Sequence, residues 1–442
     1  MSGTYKTFKY MLDFACLGGK CEDTCCKGWD IRIDKFHYQL MQEKVAATGA
    51  EAAAEFARHV QLNDGESAGD QNYAHINLRA DGFCPFLDQD SWCSLHKNYG
   101  EAPLSNICAY YPRVLSQCGN TVELSGAMSC PEMVRKCLFG AGHDELVDFD
   151  PAILPRPDDY PLTRELSLPA DDDYYDHFVA VRNILMQLAT LEGFSFESRL
   201  YFMATFANRI GKFYHHDCQL PDPKRLTAEL KQALNASGLE KLDDFVIKYS
   251  PAEPIAVIVV QSVLQLRMQQ FPHEYTSRLA TEIFQSYAEH FPDASPDVLI
   301  QALPPEPLWA LYRSRKETID RCFSLELEEY LSRFLVNCLY REWFITMPDL
   351  FTYLQMLVIR LAVLRFLLYS HTGINQLAEQ LAAKNSKPTD KELGELRDIV
   401  VKVVYNYSRS IDHNLPFLRV VYDAMNEQQM MTFDYAMPFI RF

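Results

Sequence analysis

Four cysteines fall within eleven positions in CLGGKCEDTCCKGW, residues 16–29, and the last two, Cys25 and Cys26, are adjacent. Thiols this dense must be bridged, ligated or reactive, and each option restricts the surrounding fold more than any hydrophobic pattern does. Ten of the 13 cysteines lie between Cys16 and Cys137. In a secreted chain that clustering reads as a disulfide framework. The N-terminus, MSGTYKTFKYMLDFACLGG, shows no continuous apolar stretch followed by a small-residue cleavage site, so we expect a cytoplasmic chain. In a reducing compartment the same density favours metal binding or catalysis.

The first group has the spacing C-x4-C-x3-C-C, and further thiols follow in CPFLDQDSWC (Cys84, Cys93), NICAYYPR (Cys108) and GAMSCPE (Cys130). Adjacent side chains on an ordinary backbone point in different directions. Cys25 and Cys26 are therefore expected to serve different partners, unless one of them is structural. Thiolates suit zinc, Cu(I) and iron–sulfur clusters. A zinc ribbon would show two C-x2-C pairs, which are absent, whereas clusters accept more varied spacing with four thiolates per cubane. We expect an iron–sulfur cluster, with zinc and unligated thiols as the alternatives. His96, just after Cys93, reads as a residue supporting the ligands rather than as a ligand. Cys21-x3-Cys25 begins the radical S-adenosylmethionine spacing, but the third position is Gly28, so that class is not supported. Neither a G-x-G-x-x-G turn nor a P-loop is present.

Along the chain, residues 1–140 form a cysteine-rich region of short elements. GWDIRID (28–34) alternates like a half-buried strand, and DKFHYQLMQEKVAATGAEAAAEFARHVQ (34–61) reads as one helix capped by Asp34. NDGESAGDQN (63–72) reads as a turn or mobile loop. Residues 141–172 carry five prolines and many acids and read as an extended linker. From 173 to 442 apolar residues recur at helical spacing, with Ser324 as a cap before LELEE. The expected fold is mainly α: a small cysteine-rich metal-binding N-terminal domain attached to a larger all-helical C-terminal domain. The longest apolar run, LQMLVIRLAVLRFLLY (354–369), is interrupted by Arg360 and Arg365. It reads as a buried or interfacial helix rather than a spanning one, which is compatible with peripheral membrane contact. A net charge of -17 excludes non-specific nucleic-acid binding and suits a basic, lysine-bearing protein partner.

Taken together, DFACLGGKCEDTCCKGWDIRID, FCPFLDQDSWCSLH, LSNICAYYPR and ELSGAMSCPE resemble the flagellin lysine-N-methylases, within a wider group of cytoplasmic cysteine-cluster proteins. FLVNCLYREWF (334–344) and YNYSRSIDHNLPFL (405–418) continue the resemblance and narrow it to the methylase. It spans about residue 5 to about residue 420. The resemblance implies methyl transfer from S-adenosylmethionine to lysine side chains of flagellin before export, and a [4Fe-4S] cluster on the cysteine motif. By position, Cys16, Cys21, Cys25, Cys26, Cys84, Cys93, Cys108 and Cys130 match the family's cysteines, without fixing which four hold iron. Cys118, Cys137, Cys218, Cys322 and Cys338 fall outside that pattern and read as ordinary buried residues. The wider group also permits a non-catalytic metal-binding or metal-chaperone module with a helical partner-binding domain.

Lysine methylation needs a neutral ε-amine, although a free lysine has a pKa of ~10.4. The site must therefore desolvate the amine or offer a base, and must hold a sulfonium cation with carboxylates and aromatic faces. Tyr110 and Tyr111, beside Cys108, offer rings, or simply pack the small domain. Arg113 could anchor a methionine carboxylate or form a structural ion pair. Arg341 and Glu342 are read as mid-helix charges among aromatics. Arg409, Asp412 and His413 share a helix face if the helix persists, where Arg409 and His413 could take a carboxylate or ribose. Tyr110, Arg113, Arg341, Arg409 and His413 are thus the candidate cofactor-binding residues.

Overall fold

The computed structural model describes residues 3–65, 68–166, 174–210, 228–229, 231–249, 254–291 and 303–442. Cys218 and residues 167–172 of the Pro-rich stretch lie outside them. The chain divides into two compact units, Met1–Pro169 and Ala170–Phe442.

The first unit contains β1 (Thr4–Phe8), β2 (Ile31–Ile33), α1 (Lys35–Thr48), α2 (Ala50–His59), β3 (Val60–Leu62) and β4 (Ala74–Ile76). There follow α3 (Ser94–Tyr99), α4 (Asn106–Tyr110), β5 (Arg113–Cys118), β6 (Thr121–Gly126), α5 (Pro131–Phe139), β7 (Leu146–Asp148) and β8 (Arg164–Leu166). A five-stranded sheet has the order β7-β1-β6-β5-β8, and β2-β4-β3 form a small antiparallel sheet. In the larger sheet β1 runs parallel to β6, with Thr4 opposite Thr121, while β5 and β6 form a hairpin. Its apolar side chains Phe8, Leu115 and Leu124 are buried, as are Met133, Val134 and Leu138 of α5. The Pro- and acid-rich stretch supplies both outer strands, β7 against β1 and β8 against β5.

Asp34 caps α1 by accepting the His37 N–H at 3.0 Å. The single helix expected over 34–61 is instead two helices and a strand. Gly49 adopts φ 142°, a conformation that side-chain-bearing residues avoid, and breaks the helix there. Val60–Leu62 then leaves the helix to pair with β4.

The second unit is helical throughout its described residues. It comprises α6 (Tyr174–Ala189), α7 (Phe196–Ile210), α8 (Ala236–Lys248), α9 (Ile255–Gln270), α10 (Glu274–Ala288), α11 (Pro305–Arg341), α12 (Leu350–Tyr369), α13 (Thr372–Lys384), α14 (Asp390–Tyr407), α15 (Leu415–Glu427) and α16 (Phe433–Ile440). The mainly α fold with a small cysteine-rich N-terminal domain is thus what the chain adopts. The 20-residue α12 is long and apolar enough to cross a membrane, yet every residue of it is buried. It is the core helix of this unit, packed by α7, α9, α11 and α16.

Two boundaries differ from expectation. Helix α11 runs for 37 residues straight through Ser324, because ETIDRCF before it is already helical and leaves no free N–H groups to cap. The same helix ends at Arg341, and Glu342 is its extended C-cap residue rather than a mid-helix one.

Candidate functional site

Short loops and turns present the eight matched thiols. Gly18–Lys20 forms a 3-10 turn between Cys16 and Cys21. An antiparallel bridge between Lys27 and Phe83 brings Cys26 beside Cys84, whose N–H donates to the Cys26 carbonyl at 2.8 Å. A second bridge, Leu87 to Cys93, closes the CPFLDQDSWC loop. Cys108 sits in α4, and Cys130 immediately precedes α5.

The electrostatic neighbours of each thiol divide the eight into two sets. Cys16 acts on Cys21, Cys25 and Cys130, and Cys21 acts on Cys130. Cys26 acts on Cys84, Cys93 and Cys108, and both Cys84 and Cys93 act on Cys108. The sets meet at the vicinal pair, where the Cys25 S–H donates to Cys26. That bond lowers the Cys26 thiol to about 7 and raises the Cys25 thiol. Desolvation pushes the buried Cys84 and Cys130 thiols up to about 12.

Backbone amides point at these sulfurs. Cys93 accepts from His96 and Leu95, Cys130 from Met133 and Glu132, and Cys84 from Phe86. N–H donors of this kind stabilise a thiolate and hence a metal–thiolate bond. His96 contributes in that way through its backbone, while its imidazole lies 3.7 Å from Glu101.

Aromatic and cationic groups surround the thiols. The Trp29 indole donates to the Cys25 carbonyl at 2.6 Å and packs edge-on to Tyr111 at 5.3 Å. Arg113 stands over the Phe14 ring at 5.0 Å, and burial lowers its pKa against the opposing pull of Glu101, Cys16 and Cys130. Tyr110 has a structural job: its hydroxyl donates to the Arg156 carbonyl at 2.7 Å and accepts the Arg156 N–H at 3.2 Å.

The second unit brings a different set together. Arg341 donates to Glu342 at 2.8 Å and to Asp412 at 2.9 Å. Arg360, from the middle of α12, donates to the same two carboxylates at 2.7–3.0 Å. Burial disfavours the Asp412 charge, but Arg360 and Arg341 outweigh it and hold the carboxyl well below its usual range. His413 Nε2 lies 3.3 Å from Asp412 Oδ2, and burial with Arg341 lowers the imidazole's pKa, keeping it neutral. With a side-chain exposure of 19 %, His413 is the network's most solvent-facing charged or titratable side chain. Tyr353 donates to Glu342 at 3.3 Å.

The backbone makes this convergence by departing from the α-helix. Ser408–Asp412 winds as a π-turn after α14, so the expected common face of Arg409, Asp412 and His413 does not form as a regular helix. Arg409 stacks its guanidinium over Tyr405 at 5.0 Å. Arg341 and His413 are therefore brought together on Asp412, while Tyr110 and Arg113 belong to the other unit. Arg360, Tyr353 and Cys338, none of them a candidate site residue from the sequence, also belong to this cluster. Among the described residues, only Cys338, Glu342 and Asp412 bring three such ligand atoms within 4.8 Å of one another.

Comparison with known proteins places the helical unit. The family described as FliB lysine N-methylase C-terminal domain matches residues 182–439. The flagellar biosynthetic protein FliU of Salmonella muenchen is 32% identical over 130 residues, covering 29% of this chain and 73% of that protein. Lysine-N-methylases of Salmonella choleraesuis and Salmonella typhimurium are 33% and 31% identical over 131 and 130 residues, 29% of this chain. The matched region spans 31% of the length of each of these two. No solved structure matches. With the family match extending over most of the helical unit, the chain belongs to the FliB lysine N-methylase family.

Proposed function

We propose that this protein methylates side-chain amines of lysines on flagellin, with S-adenosylmethionine as methyl donor and an iron–sulfur cluster in its cysteine-rich unit. The observation that carries the reading is the family match over 182–439, the stretch that folds around the Arg341–Glu342–Arg360–Asp412 network. Relatives named for flagellar biosynthesis and lysine methylation support the substrate class. The acidic chain, at -17, suits a lysine-bearing partner.

The donor set fits a cluster. The eight thiols are soft ligands, Cys16, Cys84, Cys93 and Cys130 already receive backbone N–H groups, and none is in a disulfide. Among the described residues no three of these sulfurs meet the 4.8 Å spacing of the Cys338 trio. A zinc tetrathiolate with ~2.3 Å bonds holds its sulfurs about 3.8 Å apart, so the spread suits a larger group. When bound, a cluster supplies a covalent cross-link between the loops and a redox-active centre. Arg113 places positive charge beside Cys16 and Cys130, where thiolate charge would accumulate.

The carboxylate network does not fit a sulfonium as folded, because Arg341 and Arg360 already neutralise Glu342 and Asp412. Its role in this reading is to fix His413. The buried Nε2 lies 3.3 Å from Asp412, burial keeps the imidazole neutral, and the rest of the ring is partly exposed, so it is placed to accept a proton from an ammonium.

Mass spectrometry of flagellin incubated with the protein and methyl-labelled S-adenosylmethionine tests the reading. Labelled lysines are expected, with His413→Ala lowering the rate and shifting its pH profile. Unchanged flagellin with a fully loaded metal site would favour the metal-binding module instead.

A further inference from the structure

We propose that the cysteine-rich unit carries two separate four-thiolate centres, each taking a [4Fe-4S] cluster: Cys16, Cys21, Cys25 and Cys130 form one, and Cys26, Cys84, Cys93 and Cys108 the other. The identity of the metal rests on the function proposed above, whereas the division into two centres rests on the fold.

Backbone geometry assigns the vicinal pair. Cys26 is tied to the 84–93 loop by the Lys27–Phe83 bridge and by the Cys84 N–H on its carbonyl at 2.8 Å. The Leu87–Cys93 bridge carries Cys93 back toward Cys84. The Cys25 carbonyl, one peptide earlier, accepts instead from Trp29. The side that Cys25 joins is held by a different clamp. Arg135 of α5 grips Glu22 with two hydrogen bonds, at 2.5 and 3.1 Å, and so draws the Cys21–Cys25 turn to the helix that Cys130 precedes. The electrostatic neighbours of the eight thiols fall into the same two sets.

Ligand arithmetic agrees with this division. One cubane takes four thiolates, which would leave four further clustered thiols with neither metal nor disulfide. Two quartets use all eight. The vicinal pair stands where the two sets meet, so each of its sulfurs can go to one centre, as when a two-cluster ferredoxin run gives its last cysteine to the other cluster.

The test is anaerobic reconstitution of the full chain with iron and sulfide, followed by metal analysis and native mass spectrometry. About eight iron and eight sulfide per chain are expected, as two cluster increments. C84S and C130S should each lose half. The decisive pair crosses the boundary: C25S/C130S should keep one cluster, and C26S/C130S should keep none. The reverse pattern, or complete loss in a single variant, overturns the assignment. If a variant fails to fold, the wild-type increments still separate one centre from two. A single increment would sink the two-centre proposal and leave the one-cluster reading standing. Two zinc ions, falling to one in each single variant, would remove the iron–sulfur reading and keep both centres. A wild-type chain that takes up no metal would overturn both.

Discussion

Arg360 donates three hydrogen bonds to two carboxylates in a part of the helical unit that water hardly reaches. Replacing it with Met would leave Glu342 and Asp412 against Arg341 alone, with uncompensated buried charge. Breaking such a pair costs about 3–5 kcal/mol, which urea unfolding of Arg360→Met would measure. A loss below about 1 kcal/mol would mean that the network is solvated and weak. His371 gives a pH signature. Its Nδ1 accepts the Gly373 N–H at 3.1 Å to cap α13, and burial, aided by Lys402, pushes its pKa down from 6.5 to about 4. As pH falls, the unfolded chain takes up this proton first, so stability declines between about 6.5 and about 4. The decline amounts to at most about 3 kcal/mol, and His371→Asn, which can still cap, should flatten that limb of a stability–pH curve. The two arginines inside the apolar run were legible as a sign that the helix is not a bare membrane span. Their partners were not: Glu342, Asp412 and Glu197 lie 18, 52 and 168 residues away, and no local pattern encodes those pairings.

At the level of elements, the turn between Cys16 and Cys21 is fixed by close approach. A Cβ on Gly19 would stand 2.2 Å from the Asp90 carbonyl oxygen, and one on Gly18 2.3 Å from the Trp92 ring. The 16–21 loop and the 84–93 loop therefore pack directly on each other. Gly19→Ala should cost about 1–3 kcal/mol, as overpacking does, read as a lower melting temperature. Gly69→Ala, with nothing within 4 Å of the added methyl, is the control that should leave it unchanged. The elements also show where sequence periodicity suffices. Asp34 as a cap and Ile31–Ile33 as a strand follow from side-chain chemistry and alternation. The break at Gly49 was hidden by alanine-rich flanks that favour helix on both sides. The strand after it exists only because β4 is there to pair with it. The π-turn at Ser408–Asp412 has no periodicity of its own, so its redirection of Asp412 was invisible until α11 and α12 were seen beside it.

On the scale of the whole molecule, the family match and the clustered thiols occupy different units. The FliB match covers most of the helical unit, and the eight clustered thiols belong to the cysteine-rich one. Composition made that division plain, since ten cysteines precede residue 140 and helical periodicity dominates after 173. The extent of the first unit was less obvious, because five prolines gave 141–172 the look of a connector. In the fold, Lys6 pairs with Asp148 in register and Ser116 with Arg164, so that stretch finishes the large sheet on both sides. Anyone expressing the cysteine-rich piece alone inherits a practical rule from this. A fragment cut at 140 would expose the unpaired backbone of β1 and β5 and is expected to self-associate by light scattering, whereas one carried through 169 should stay dispersed.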